Sequence, residues 1–255
     1  MHPDIGPLSA SKFGWVIAAI LTGAAIVWSI AKEGMTLKQT VVVLIGCTIA
    51  LLLGAKAVYL IEVVPAWNAE TLLSDQVRLP GGLIAALALS PLFPRLAGRS
   101  RWHLADVMAP AFGLLILGTR IGCFLQGCCY GRPSTLPWAL PFPRGSDVYA
   151  WQMGRGIITG AAPYTVPVQP LQLYFAIVGA LLFLWLAEYR QRGRYGGQVA
   201  LWFAVAYLWS TWLLEQLRAQ PHPATQHFAL CGALVATAVT LFAECRHRSA
   251  RTAIA

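Results

Sequence analysis

The chain has 255 residues, 57% of them apolar and 11% charged, against about 25% charged in ordinary soluble domains. That composition excludes a soluble enzyme. The excess of 19 Lys+Arg over 10 Asp+Glu is dispersed over short segments rather than gathered on one face, which excludes a nucleic-acid-binding surface.

At about 1.5 Å per residue, a helix needs about 20 apolar residues to cross a bilayer. Seven apolar stretches approach that length: Phe13 to Ile30, Thr40 to Val64, Gly81 to Phe93, Val107 to Gly127, Val168 to Leu186, Val199 to Leu214 and Phe228 to Ala243. They predict an all-α polytopic membrane protein with seven transmembrane helices, forming one integral membrane domain over residues 1–255. The first stretch lacks the basic leader and small-residue cleavage site of a signal peptide, so it is expected to stay attached. No internal repeat or low-complexity segment interrupts the series.

Seven spans put the termini on opposite sides. One side carries Lys32, Lys38, Arg95, Arg99, Arg101, Arg190, Arg192, Arg194, Arg246, Arg248 and Arg251, eleven cations, against six on the other, Lys12, Arg78, Arg132, Arg144, Arg155 and Arg218. The positive-inside rule then predicts the N-terminus outside and the C-terminus in the cytoplasm. The longest connection, Tyr130 to Pro167, falls outside; its six prolines with Trp138 and Trp151 suit an irregular aromatic lid at the membrane interface. Trp67, Trp102 and Trp138 read as interfacial anchors. His103, His222 and His227 lie in loops without an evident partner.

Ionisable residues inside a bilayer cost several kcal/mol and mark functional sites by default. Four stand out: Lys56, Arg120, Glu215 and Arg218. Arg120 lies near the outer end of its span, ahead of Gly122, Cys123, Gly127, Cys128, Cys129 and Gly131. Backbone so rich in glycine persists in a membrane only where it is buried in protein or lines a wet cavity, and an arginine at such a wall makes an anion site. Tyr207, Thr211, Glu215 and Arg218 follow spacings that place all four within about 80° of one helical face. Lys56 could reach a ligand phosphate or bond the carbonyls of a neighbouring helix. Asp106 is most simply the N-cap of its own span.

The run Gly118-Thr-Arg120-Ile-Gly-Cys-Phe-Leu-Gln-Gly127-Cys-Cys-Tyr-Gly131-Arg132 resembles the signature of bacterial prolipoprotein diacylglyceryl transferases, Arg-Ile-Gly-Asn-Phe-x-Asn-Gly-Glu-x-x-Gly-Arg. Further matches stand in the family's order: Ile5-Gly-Pro-Leu8, Phe13-Gly14, Gly54-Ala-Lys56, Gly81-Gly-Leu-Ile84, Asp106 with Ala109-Pro110, Pro170-Leu-Gln172-Leu-Tyr174, and Tyr207 to Arg218. The resemblance implies seven spans, an outside N-terminus and residence in the bacterial inner membrane. It also implies transfer of the diacylglyceryl group of phosphatidylglycerol to a cysteine thiol of a secreted precursor, with release of glycerol phosphate.

By that resemblance Arg120, Cys128, Glu215 and Tyr207 are the candidate catalytic residues. Lys56, Cys123, Gln126, Gly127, Arg132, Gln172, Tyr174 and Arg218 are the candidate substrate-binding ones. The partners implied are a phospholipid and either a lipoprotein precursor or a small thiol acceptor; no metal or other cofactor is implied. The sequence also departs from the pattern. Pro80 stands for a histidine, Cys123 and Gln126 for asparagines, Cys128 for the signature glutamate, Thr211 for an arginine and Phe175 for a glutamate. A family member acting on a different acceptor, or a lipid-binding protein without catalysis, is the alternative.

Cys123, Cys128 and Cys129 admit four readings. As a metal site the cluster lacks a nearby residue to complete a tetrahedron. A disulfide from Cys123 to Cys128 or Cys129 suits an oxidising compartment. Buried thiols can also be inert filler. A cysteine beside Arg120 can instead be a reactive thiolate, with Cys128 favoured because it holds the family's carboxylate position. Cys47, Cys231 and Cys245 read as ordinary membrane-helix residues.

Overall fold

The computed structural model describes residues 4–5, 8–34, 36–63, 68–74, 77–92 and 102–252. Trp67, Arg95, Arg99 and Arg101 lie outside the described residues, as do Gly6 and Pro7 of the N-terminal match. A two-residue antiparallel pairing of Asp4–Ile5 with Leu8–Ser9 precedes the helices.

The helices are α1 (Ala10–Lys32), α2 (Leu37–Glu62), α3 (Ala69–Leu73), α4 (Leu79–Leu89), α5 (His103–Gln126), α6 (Asp147–Gly154), α7 (Leu171–Tyr189), α8 (Gln198–Glu215) and α9 (Pro223–Thr252). Each of the seven predicted stretches contains a helix over most of its described residues. Five of them, Phe13–Lys32, Leu37–Glu62, His103–Gln126, Leu171–Arg192 and Pro223–Ser249, are long and apolar enough to cross a membrane. With 11 residues, α4 is too short to span alone; the chain tightens into a 3₁₀ turn at Ser90–Leu92.

Local chemistry sets the ends. Thr36 caps α2 reciprocally: the Gln39 amide donates to Thr36 Oγ1 at 3.3 Å, and the Thr36 amide donates to Gln39 Oε1 at 2.9 Å. Pro223 opens α9, where its missing N–H leaves no bond unmade.

The residues gather into two compact units. The first comprises Met1–Ala24, Phe112–Phe183 and Leu213–Pro221. Here α1 and α5 meet through small residues: a methyl on Gly118 would lie 2.7 Å from Ala18 Cβ, and one on Gly14 would run into the backbone of Gly122. Gly14/Ala18 and Gly118/Gly122 are thus two small-xxx-small stripes in mutual contact, the packing by which membrane helices approach closely. Between α5 and α7 the chain builds a cap with its own core of Tyr130, Phe142, Val148 and Val168. Gln152, fully buried, donates to the Val166 carbonyl at 3.0 Å and accepts from the Val166 amide at 2.8 Å, pinning α6 to the returning strand-like segment.

The second unit comprises Ala25–Ala111, Leu184–Trp212 and His222–Ala255. Its α2 and α4 touch backbone to backbone where Gly54 faces Gly81. Asp106 is a cap, but of a different helix than expected: on α5, it accepts from the amides of Gly197 at 2.6 Å and Ala200 at 3.0 Å, closing the N-terminus of α8. Two of the histidines have carboxylate partners, His103 on Glu33 at 3.1 Å and His222 on Glu62 at 2.9 Å. Each pairing joins residues distant in sequence, which no local pattern reveals.

Candidate active site

The site grows from the end of α5. Gly127 terminates the helix with φ +72, its amide donating to the Phe124 carbonyl and that of Cys128 to the Cys123 carbonyl, both at 3.1 Å. This is the 6→1 and 5→2 pattern of a Schellman cap, which glycine makes without steric cost. The reversal folds Cys128 and Cys129 back over the last turn. Cys129, with φ +57, is the single non-glycine residue at positive φ among the described residues. Such a conformation costs about 1 kcal/mol or more and is held by the surrounding structure.

That hold comes from three backbone segments laid side by side. The Gly131 amide donates to the Gln169 carbonyl at 3.0 Å, that of Arg132 to Leu217 at 2.9 Å, and that of Ala219 to Tyr130 at 3.3 Å. A side chain on Gly131 would sit 2.8 Å from Gln169 Cβ and 3.1 Å from the Leu217 carbonyl, so the segments can close only on glycine. The fully buried Gln172 adds a 2.6 Å bond from Nε2 to the Cys128 carbonyl.

Arg120 and Cys123, one turn apart on α5, thereby meet Cys128, Cys129 and Arg218. The three cysteine Sγ atoms lie within 4.8 Å of one another, all as free thiols. Arg120 is 8% exposed and stacks its guanidinium carbon 4.2 Å over the Phe175 ring. Among the described residues no ion pair includes Arg120. Arg218 differs: its Nε and Nη2 reach Glu215 Oε2 and Oε1, each at 2.7 Å, in a buried fork-to-fork pair. Hydrogen bonds from the Cys123 and Cys128 thiols, with the Arg218 and Arg120 guanidinium groups behind them, hold Cys129 well below the ordinary thiol range. Cys128, which donates to Cys123 and Cys129, is pushed up instead. Cys129 therefore stands beside the expected Cys128 as a candidate thiol of the site.

Other expectations also move. Arg218 is not on the α8 face: α8 ends at Glu215, and Arg218 follows a turn into a bridge with Gly131. Tyr207 and Lys56 belong to the second unit. Tyr207 is fully buried and stacks on Phe203 at 5.5 Å. Lys56 commits its ammonium to the Thr71 carbonyl, the Ser74 carbonyl and Ser74 Oγ, at 3.1, 2.7 and 3.1 Å, which is the carbonyl-bonding reading rather than phosphate capture. In the first unit Gln126 bonds Asp147, Tyr174 accepts from Trp138 Nε1 at 2.8 Å, and Arg132 is exposed.

Sequence comparisons place the chain among known proteins. A sequence model of the family described as prolipoprotein diacylglyceryl transferase matches residues 3–245. The chain is similar to phosphatidylglycerol–prolipoprotein diacylglyceryl transferases from several bacteria. That of Bordetella parapertussis is 26% identical over 229 residues, 84% of this chain and 80% of the relative. That of Solidesulfovibrio magneticus is 28% identical over 225 residues, 81% of this chain and 79% of the relative. That of Pseudomonas fluorescens is 27% identical over 224 residues, 81% and 77%. With the match running nearly end to end and through the arginine-bearing turn of α5, the chain belongs to the prolipoprotein diacylglyceryl transferase family.

Proposed function

We propose that this protein is a membrane-embedded transferase that moves the diacylglyceryl group of phosphatidylglycerol to the cysteine thiol of a lipoprotein precursor. The observation that carries this reading is Arg120, a buried guanidinium stacked on an aromatic ring instead of neutralised by a carboxylate. A cation in that condition suits an anionic ligand, and a planar fork suits two phosphate oxygens.

The acceptor sulfur attacks the glycerol methylene carbon that bears the phosphate ester. The carbon–oxygen bond breaks, its electron pair stays on the phosphate oxygen, and glycerol phosphate leaves with its charge held by Arg120. Arg218, its charge balanced by Glu215, lines the same cysteine cluster as a fixed wall. Low dielectric strengthens the hold of Arg120 on the leaving phosphate. The seven-span reading counts α4 with its 3₁₀ turn as a short crossing packed on α2, and the eleven-to-six cation asymmetry then supports an N-terminus outside a bacterial plasma membrane. It sets this site toward the outer leaflet, where a secreted precursor arrives.

The test is incubation of purified protein with phosphatidylglycerol labelled in its acyl chains and a peptide carrying the acceptor cysteine. Labelled peptide and equimolar glycerol phosphate are expected. Lipid bound without turnover, for any thiol supplied, would reduce the protein to a lipid-binding member of the family.

A further inference from the structure

Transfer to a thiol requires that the thiol lose its proton, and the site is poor in bases. Among the described residues the first unit holds no histidine. Its carboxylates at the site are committed, Glu215 to Arg218 and Asp147 to Gln126. In their place stand three thiols whose sulfurs converge from two directions, one from the last turns of α5 and two from the reversed chain behind Gly127.

A thiol of the chain cannot serve as a relay for the group transferred. If Cys123, Cys128 or Cys129 attacked the lipid, the product would be a thioether on the protein, and a neutral thioether offers no leaving group to the next thiol. The trio must act on the acceptor rather than in place of it.

We propose that Cys123, Cys128 and Cys129 bind a zinc ion whose fourth position takes the acceptor thiol. The geometry fits. Zinc–sulfur bonds of about 2.3 Å at tetrahedral angles place sulfurs about 3.8 Å apart, and the three Sγ atoms already lie within 4.8 Å of one another. The ligand set also fits, because thiolates select soft d¹⁰ ions and three protein ligands leave one position open, as catalytic zinc requires. All three residues are intermediate in exposure at the surface of the site. Three thiolates with one divalent ion leave one net negative charge, beside which Arg120 and Arg218 stand. The strained backbone of Cys129 has a purpose in this reading: it turns the third sulfur toward the other two.

The step balances without a further reactant. The acceptor R–SH displaces zinc-bound water and releases its proton to solvent, since a coordinated thiol is deprotonated outright. The zinc-bound sulfur attacks the glycerol methylene carbon while the carbon–oxygen bond breaks toward phosphate. The neutral thioether product then yields its place to water.

This inference rests on the proposed transfer to a thiol, but its test is separable from it. Protein purified without added metal is assayed for metal content, and one zinc per chain is expected. Cys123→Ser/Cys128→Ser/Cys129→Ser should lose the zinc, while Cys47→Ser/Cys231→Ser/Cys245→Ser should keep it. Cobalt exchanged into the wild type should show tetrahedral visible bands with sulfur charge transfer, and the acceptor peptide should shift them where its Cys→Ser counterpart does not. At pH 7 an unassisted thiol with a pKa of about 8.5 is only about 3% ionised, so chelation should slow transfer about thirtyfold, with recovery on adding zinc. A metal-responsive spectrum without lipid transfer upholds the zinc site and refutes the transferase reading. Full transfer by metal-free protein refutes the zinc site and leaves the transferase reading intact. A native intramolecular disulfide within the trio, or binding of copper(I) alone, also overturns the zinc site.

Discussion

Replacing Arg120 tests the anion site directly, because its packing contact and its charge can be weighed apart. Toward the protein its recorded contact is the 4.2 Å stack on Phe175, and such a cation–π contact is worth about 2 kcal/mol when desolvated. No carboxylate is orphaned by its removal, so the cost of a broken buried ion pair does not arise. Toward the ligand, two hydrogen bonds from a charged fork contribute about 1.5–3 kcal/mol each, or about 3–6 kcal/mol together. Arg120→Ala should therefore lower kcat/KM by roughly 10² to 10⁴-fold while lowering stability by no more than about 2 kcal/mol. Arg120→Lys keeps the charge and one of the two bonds and should lose roughly 10 to 100-fold. The assay is the initial rate of labelled glycerol phosphate release in mixed micelles, with thermal unfolding measured in the same detergent. Arg120→Ala turnover within about threefold of wild type would refute the anion site, as would a lost activity matched by a lost fold.

Three further outcomes are expected. Glu215→Ala and Arg218→Ala each leave one charge of a buried pair uncompensated and should cost about 3–5 kcal/mol, whereas the double variant should cost clearly less than their sum; strict additivity would show that the fork is not coupled. Gly118→Ala should weaken the α1–α5 contact, and adding Ala18→Gly should not restore it, because the new methyl would still lie 2.8 Å from the Cα of residue 18; unchanged thermal stability in Gly118→Ala would dismiss the small-residue interface. Burial raises the Glu33 carboxyl, but His103 and Arg190 outweigh it and hold it below its usual 4.5. Its stabilising contribution is complete above that value and fades as the pH falls through the lower folded one, so acid-unfolding curves should flatten in Glu33→Gln; an unchanged curve would discount the cluster.

The apolar runs carried the helices, and the ends moved by only a few residues. The first stretch, expected from Phe13 to Ile30, extends as α1 over Ala10–Lys32. Apolar periodicity says little about length at the margin, so α4 appeared in the sequence as a full span although it has 11 residues. Arg120, Glu215 and the cysteine cluster were legible because polar groups in an apolar run are costly and need a reason. Less could be read where the reason lies far along the chain. Asp106 looked like a cap and is one, but the amides it holds are Gly197 and Ala200. The helical-wheel stripe carried Arg218 onto α8, although pairing with Gly131 ends the helix first. That Cys129 turns to meet Arg218 could not be read, because its direction depends on a backbone reversal that Gly127 announces but does not aim.

The cap between α5 and α7 is tied on both sides of its exposed turn. Tyr149 Oη donates to the Ala162 carbonyl at 2.8 Å, Gln152 grips Val166, and the Thr165 amide donates to the Phe142 carbonyl at 2.9 Å. Protease cleavage between Arg155 and Gly160 would therefore sever the polypeptide without freeing either fragment. The two pieces would stay together under native conditions and separate only on denaturation, and the cysteine cluster, built on segments either side of the cut, would remain assembled.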